Sequence, residues 1–260
     1  MIPIFNYTAQ QIETFLLVLL RVSGILIVAP IFGHQAVPQQ IKIGFALCLS
    51  LILVPLVSTV PVSFPQAIIP LGLFLAKELV AGLFIGFTFL LIFYGVEMGG
   101  SIVGMQIGFG LVNVIDPQSG QEVSVIGTLQ FLLAMLFFLA INGHHIIISS
   151  ILDSFKIIPP GGVQFSSPVG EKIIRMVAAC FVIAIKIAAP LMVTLFLTDV
   201  ALAMIARTIP QMNVFIVGFP LKIGVGFLML IFTLPLFSLI LERLFMNLDS
   251  DVGWLIKYLS

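Results

Sequence analysis

The chain is laid out as long apolar blocks separated by short polar or glycine-rich breaks. Thr8 to Ile31 predicts a first helix, with Thr8 suited to an N-cap and Pro30 near the end. His34 to Gln40 is a short polar turn around Pro38, and Ile41 to Val57 predicts a second helix with Pro55 near its end. Ser58 to Pro65 carries Pro61 and Pro65 and reads as a loop. A long apolar block follows, Gln66 to Glu97, interrupted by Lys77 and Glu78. Neighbours on a helix point about 100° apart, so these two are expected to meet different segments rather than each other. Gly82 and Gly86 lie one turn apart and predict a face where another helix comes close.

The stretch from Gly99 to Glu122 differs from the blocks on either side. Gly100, Gly104 and Gly108 recur every fourth residue, which predicts a close-packing helical face. Phe109-Gly110 should break that helix, because glycine opens backbone angles other residues avoid. Leu111, Val112, Val114 and Ile115 then place oily side chains in an irregular segment, which Asp116-Pro117 and Ser119-Gly120 close with turn chemistry. In an apolar setting such a backbone cannot face lipid, so it must be buried in protein or line a cavity. Met105, Gly108, Phe109, Gly110, Leu111, Val112, Val114, Ile115 and Asp116 are therefore candidates for a plug or gate. The apolar members would seal by expelling water, the glycines would hinge, and Asp116-Pro117 would anchor the exit. The competing reading is that they fill an interior with no moving part. Ile107-Gly108-Phe109-Gly110 loosely resembles a potassium filter, but such filters need four equivalent loops and a preceding threonine, and this chain has one copy and lacks the threonine.

Val123 to Leu152 holds 30 residues without a formal charge. As one helix it would run about 45 Å, against a hydrocarbon core of about 30 Å. Asn142-Gly143-His144-His145 lies inside it and predicts a kink whose polar groups are satisfied locally; adjacent histidines make a poor zinc site. Pro159 to Gly162 is the clearest break, and charged residues on both sides place it at a surface. Glu171 to Ile209 contains Lys186, Asp199 and Pro190, which should bend it. After a turn at Arg207 to Asn213, Val214 to Phe245 forms the last block, with Pro220, Lys222 and Pro235. Asn247 to Ser260 is amphipathic, with Trp254 and Tyr258 suited to a membrane interface.

Composition sharpens this picture. The chain is 60% hydrophobic and 8% charged, with a mean hydropathy of +1.26, whereas a soluble domain carries about 25% charged residues. An all-α, membrane-type protein of long kinked helical hairpins is expected. The basic and acidic residues balance at 11 each and form no basic patch, so no nucleic-acid partner is expected. No Lys or Arg precedes the first apolar run, so that segment is expected to be retained rather than cleaved. Cys48 and Cys180 sit inside apolar runs and read as small buried hydrophobes. Without a catalytic or ligand set, no enzyme, cofactor or metal is expected. Arg21, Lys77, Glu78, Glu97, Lys186, Asp199, Arg207 and Lys222 interrupt apolar segments. Isolated buried charges are costly, so these are expected to pair with one another or with partner subunits.

The run Pro210 to Lys222, PQMNVFIVGFPLK, resembles a signature of the FliR family, core subunits of the flagellar type III protein-export gate. Asn142 to His145 and the glycine-rich stretch are similar to that family as well, and the likeness covers essentially the whole chain. The SctT group of virulence secretion systems is related, but the flagellar branch is the nearer one. The resemblance implies a single family domain over residues 1–260. Residues 1–165 would be similar to FliP, with a plug loop at about 105–120, and residues 166–260 would hold a FliQ-like hairpin and the amphipathic end. It implies assembly with FliP and FliQ into a conical channel beside FlhB and FlhA. The setting would be the bacterial inner membrane in the flagellar basal body, largely on the periplasmic side, in contact with membrane lipid. Unfolded flagellar proteins would be the cargo, and the loop matching Met105 to Asp116 would project into the channel and help close it. A small-solute or ion transporter is the competing reading; the glycine-rich break would suit one, but no convincing repeat relates the two halves.

Overall fold

A computed structural model describes residues 9–34, 36–57, 64–65, 67–110, 124–165, 167–209, 211 and 213–260. Among them the chain forms α1 (Ala9–Val28), α2 (Gln39–Val57), α3 (Ile68–Ile107), α4 (Val125–Ala140), α5 (Gly143–Ile157), α6 (Ser167–Thr208) and α7 (Val214–Tyr258). The architecture is all-α. In apolar surroundings a helix satisfies its own backbone groups, which suits these sequences. Five of the helices are long and apolar enough to cross a membrane, or six if α4 and α5 are one bent span.

Three helices are longer than one span needs. The 40 residues of α3 run about 60 Å, because the block ending at Glu97 and the glycine-rich stretch form one continuous helix. α6 continues past Pro190 for 42 residues in all. α7 runs 45 residues through Pro220 and Pro235 to Tyr258, so the amphipathic end is not a separate element. Phe245-Met246-Asn247 contains neither glycine nor proline, and nothing there stops the helix. The break within 123–152 falls at Asn142, whose left-handed backbone (φ 59°) bends α4 and α5 by 71°. Asparagine tolerates that region better than most residues.

The chain divides into two compact units. The first comprises Met1–Leu91, Leu139–Met176 and Met246–Ser260. Here α1 packs backbone to backbone on α3. A Cβ at Gly24 would lie 2.6 Å from the Leu79 carbonyl oxygen, and one at Gly86 would lie 2.7 Å from that of Ile25. A Cβ at Gly82 would overlap the Arg21 carbonyl oxygen. Leu17, Ile25, Ile85, Ile147 and Ile151 form part of this unit's core. The end of the chain is tied down where the Gln164 N–H donates to the Leu259 carbonyl (2.9 Å) and Lys172 pairs with Asp251 (2.9 Å).

The second unit comprises Ile92–Phe138 and Val177–Phe245. Gly100 and Gly104 let α3 approach Gly127, Ile126 and Ser124 at the start of α4, while Gly95 and Gly99 seat α3 against α6. Val103, Ile107, Ile126, Ala188, Leu191 and Leu195 form its core. Phe93, Phe138 and Phe245 make an aromatic cluster with centroids 4.9 to 5.5 Å apart. Burial is uneven: in the most apolar stretch of α3 56% of residues are buried within the chain, in α6 28% and in α7 only 6%.

Candidate gate segment and charged sites

α3 ends where the sequence places its densest glycines, and the cap explains how. The Phe109 N–H reaches back to the Gly104 carbonyl (3.1 Å), and the Gly108 N–H bonds those of Met105 (3.1 Å) and Gly104 (3.3 Å). Gly108 has φ +112°, so this is a Schellman-type stop with glycine at its positive-φ position. Space gives a second reason for glycine. A Cβ at Gly108 would sit 2.8 Å from the Phe219 ring. Gly108 is therefore not a third member of the Gly100–Gly104 face; it meets a phenylalanine of α7 instead. Gly110 is different, since a Cβ there would stay 3.5 Å from its nearest neighbour, Met105.

Side chains around this stop are fixed from α6 and α7. The Phe109 ring meets Phe227 edge to face at 6.4 Å. The Gln106 amide donates to the Met192 carbonyl (3.2 Å) and leaves its own buried Oε1 without a partner. Met105, one turn before the stop, is 65% exposed. Leu111, Val112, Val114, Ile115 and Asp116 lie outside the described residues.

The eight charges sort into three groups. Arg21 and Glu78 are both fully buried in the first unit and pair through two bonds, Nε to Oε2 (2.7 Å) and Nη2 to Oε1 (3.1 Å). Arg21 Nη1 also donates to the carbonyls of Ser154 (3.0 Å) and Ile158 (2.9 Å), at the end of α5. Its guanidinium lies 4.3 Å from the Phe155 ring centroid. Glu78 Oε1 accepts the Gly161 N–H (2.7 Å), in the turn where Gly161 itself takes φ +81°. One ion pair thus joins α1, α3, the end of α5 and the Pro159–Gly162 break. In the second unit Asp199 pairs with Lys222 at 2.7 Å, linking α6 to α7. Lys77, Lys186 and Arg207 are exposed and Glu97 is half-buried; none makes an ion pair or side-chain hydrogen bond among the described residues.

Two smaller expectations change. Cys180 is buried, but Cys48 is exposed, because most of α2 is not covered by this chain. At the Asn142 bend the rings of His144 and His145 touch (centroids 4.3 Å), yet His144 Nδ1 is buried without a hydrogen-bond partner.

Residues 12–248 match the family described as bacterial export proteins, family 1. A flagellar biosynthetic protein FliR from Bacillus subtilis strain 168 is 37% identical over 245 residues, covering 92% of this chain and 93% of that protein. The chain belongs to the FliR family. FliR of Escherichia coli K12 is 31% identical over 242 residues, 90% of each chain. FliR of Aquifex aeolicus VF5 is 28% identical over 239 residues, 90% of this chain and 92% of that one. Family membership and the apolar helices together make the chain a membrane component of flagellar protein export. The transporter reading loses its support at this point.

Proposed function

We propose that this FliR-family chain is a core subunit of the flagellar type III export gate. It assembles with FliP and FliQ, beside FlhB and FlhA, at the bacterial inner membrane in the basal body. Together the subunits form the channel through which unfolded flagellar proteins leave. Residues 1–165 supply a FliP-like part and residues 166–260 a FliQ-like hairpin followed by the amphipathic end. The segment from Met105 to Asp116 helps close the channel.

One observation supports the gate reading: the stop at Gly108, where a positive φ strains any residue with a side chain and the Phe219 ring crowds a Cβ. Such a stop fixes where the apolar segment leaves α3. Met105 and Phe109 stand beside that exit, and a constriction of oily side chains is closed by dewetting without any chemistry. Leu111, Val112, Val114 and Ile115 complete the seal, with Asp116 at its end.

The test is ion leakage through assembled gates. Deleting Gly108 to Val112 is expected to leave the complex assembled but to let small ions cross the membrane. Gly108→Ala is the milder case. It forces a side chain into a positive-φ site against an aromatic ring, a strain of about 1–3 kcal/mol. Leakage intermediate between wild type and the deletion is expected. Assembled deletion complexes as ion-tight as wild type would overturn the gate.

A further inference from the structure

Lys186 is the one charged residue of α6 between Arg175 and Asp199. It is 11 residues from the first and 13 from the second, about 16 Å and 20 Å along the helix. Neither end of that apolar run is within reach of a lysine stem. Val182, Val193 and Leu197 project within about 40° of Lys186. All three are at least half exposed. The opposite face, with Ala184, Ile187, Ala188 and Leu191, is buried in the second unit. The outer face of α6 is thus an apolar stripe with one cation at its middle.

Neither lipid nor water accounts for that stripe. A lysine this far from both charged boundaries is costly in hydrocarbon. In water the flanking Val and Leu side chains would form an exposed apolar patch, which marks an interaction surface. The chain's other interhelical cations show the remedy it uses: Arg21 takes Glu78 and Lys222 takes Asp199. Lys186 has no such carboxylate among the described residues.

We infer that the α6 face centred on Lys186 docks an apolar helix of another polypeptide that presents a carboxylate at the same depth. The inference rests on the reading that this chain assembles with other membrane polypeptides, and adds the surface and the chemistry of one partner. The apolar stripe gives contact area, and the ion pair fixes the register of the two helices, since sliding either by one turn separates the charges.

The experiment uses the complete apparatus in cells. A photo-reactive amino acid at Val193, with Lys186 intact, is expected to trap a second membrane polypeptide through an apolar helix that contains Asp or Glu. K186E is expected to lower recovery of that polypeptide with this chain at least tenfold. An acid-to-Lys change in the trapped helix should restore it. Adducts with lipid alone, or with a second copy of this chain, would overturn the inference. So would K186E complexes recovered at wild-type yield. If K186E does not accumulate, the Val193 adducts decide. If the wild-type chain recovers partners and K186E keeps them, the inference alone fails. If the wild-type chain recovers none, the export-gate reading fails with it.

Discussion

Arg21 shows how one residue can tie a unit together. Its guanidinium donates twice to Glu78 and twice to backbone carbonyls, so each part of the fork has a fixed acceptor. Removing one partner of a buried pair leaves the other charge uncompensated, at about 3–5 kcal/mol. Arg21→Ala is therefore expected to lower the melting temperature of the purified complex sharply, and Arg21→Lys to recover only part of the loss. The swap Arg21→Glu with Glu78→Arg separates this network from a simple ion pair. It would turn a carboxylate toward the carbonyls of Ser154 and Ile158, so no rescue is expected; full rescue in a melting curve would contradict the geometry. The sequence flagged both charges as costly. It could not indicate that they meet each other, because 57 residues separate them. Gly161 and the two carbonyls were out of reach for another reason: they act through backbone groups, which carry no residue-type signature.

α3 is the element on which α1, α4 and α6 are seated, and glycine spacing is how it does so. Gly82 and Gly86 admit α1, Gly95 and Gly99 admit α6, and Gly100 and Gly104 admit α4. Where a Cβ would meet a backbone, the helices must separate, which costs about 1–3 kcal/mol. Gly82→Ala is expected to lower the melting temperature measurably. Gly72→Ala, in the same helix but with nothing within 4 Å, is expected to be neutral or to stabilise by up to about 1 kcal/mol. Equal effects of the two substitutions in a thermal melt would contradict the packing described. Gly82, Gly86, Gly100 and Gly104 were legible because a four-residue period is visible in the sequence, whereas Gly95 and Gly99 were not singled out. Gly108 read as a third member of the packing face, with the break one residue later at Phe109-Gly110; its contact with Phe219 was out of reach, since that partner lies 111 positions further on. The lengths of α6 and α7 were harder to read. Proline normally argues for a bend or stop, yet Pro190, Pro220 and Pro235 all lie inside continuous helices. In apolar segments neighbouring helices and side chains re-satisfy freed backbone groups, so the usual penalty is a weak guide.

At the scale of the molecule, the distribution of burial says more than the fold class. The composition pointed to a membrane-type chain and the long apolar blocks to helices, and the structure agrees with both. Neither could show that the most apolar stretch of α7 would have so few residues buried by its own chain. That surface calls for lipid or other subunits, and the chain made without its partners is expected to be degraded within cells while the co-expressed chain persists. Pulse-chase labelling would read the difference, and equal half-lives would count against an obligate assembly. On the proposed function, the segment from Met105 to Asp116 lies where cargo passes. A photo-reactive amino acid at Met105, in gates jammed with a stalled export substrate, reads this out. Adducts with the stalled polypeptide, lost when no substrate is engaged, are the expected result. Adducts with lipid or neighbouring subunits alone, unchanged by the substrate, would contradict the account.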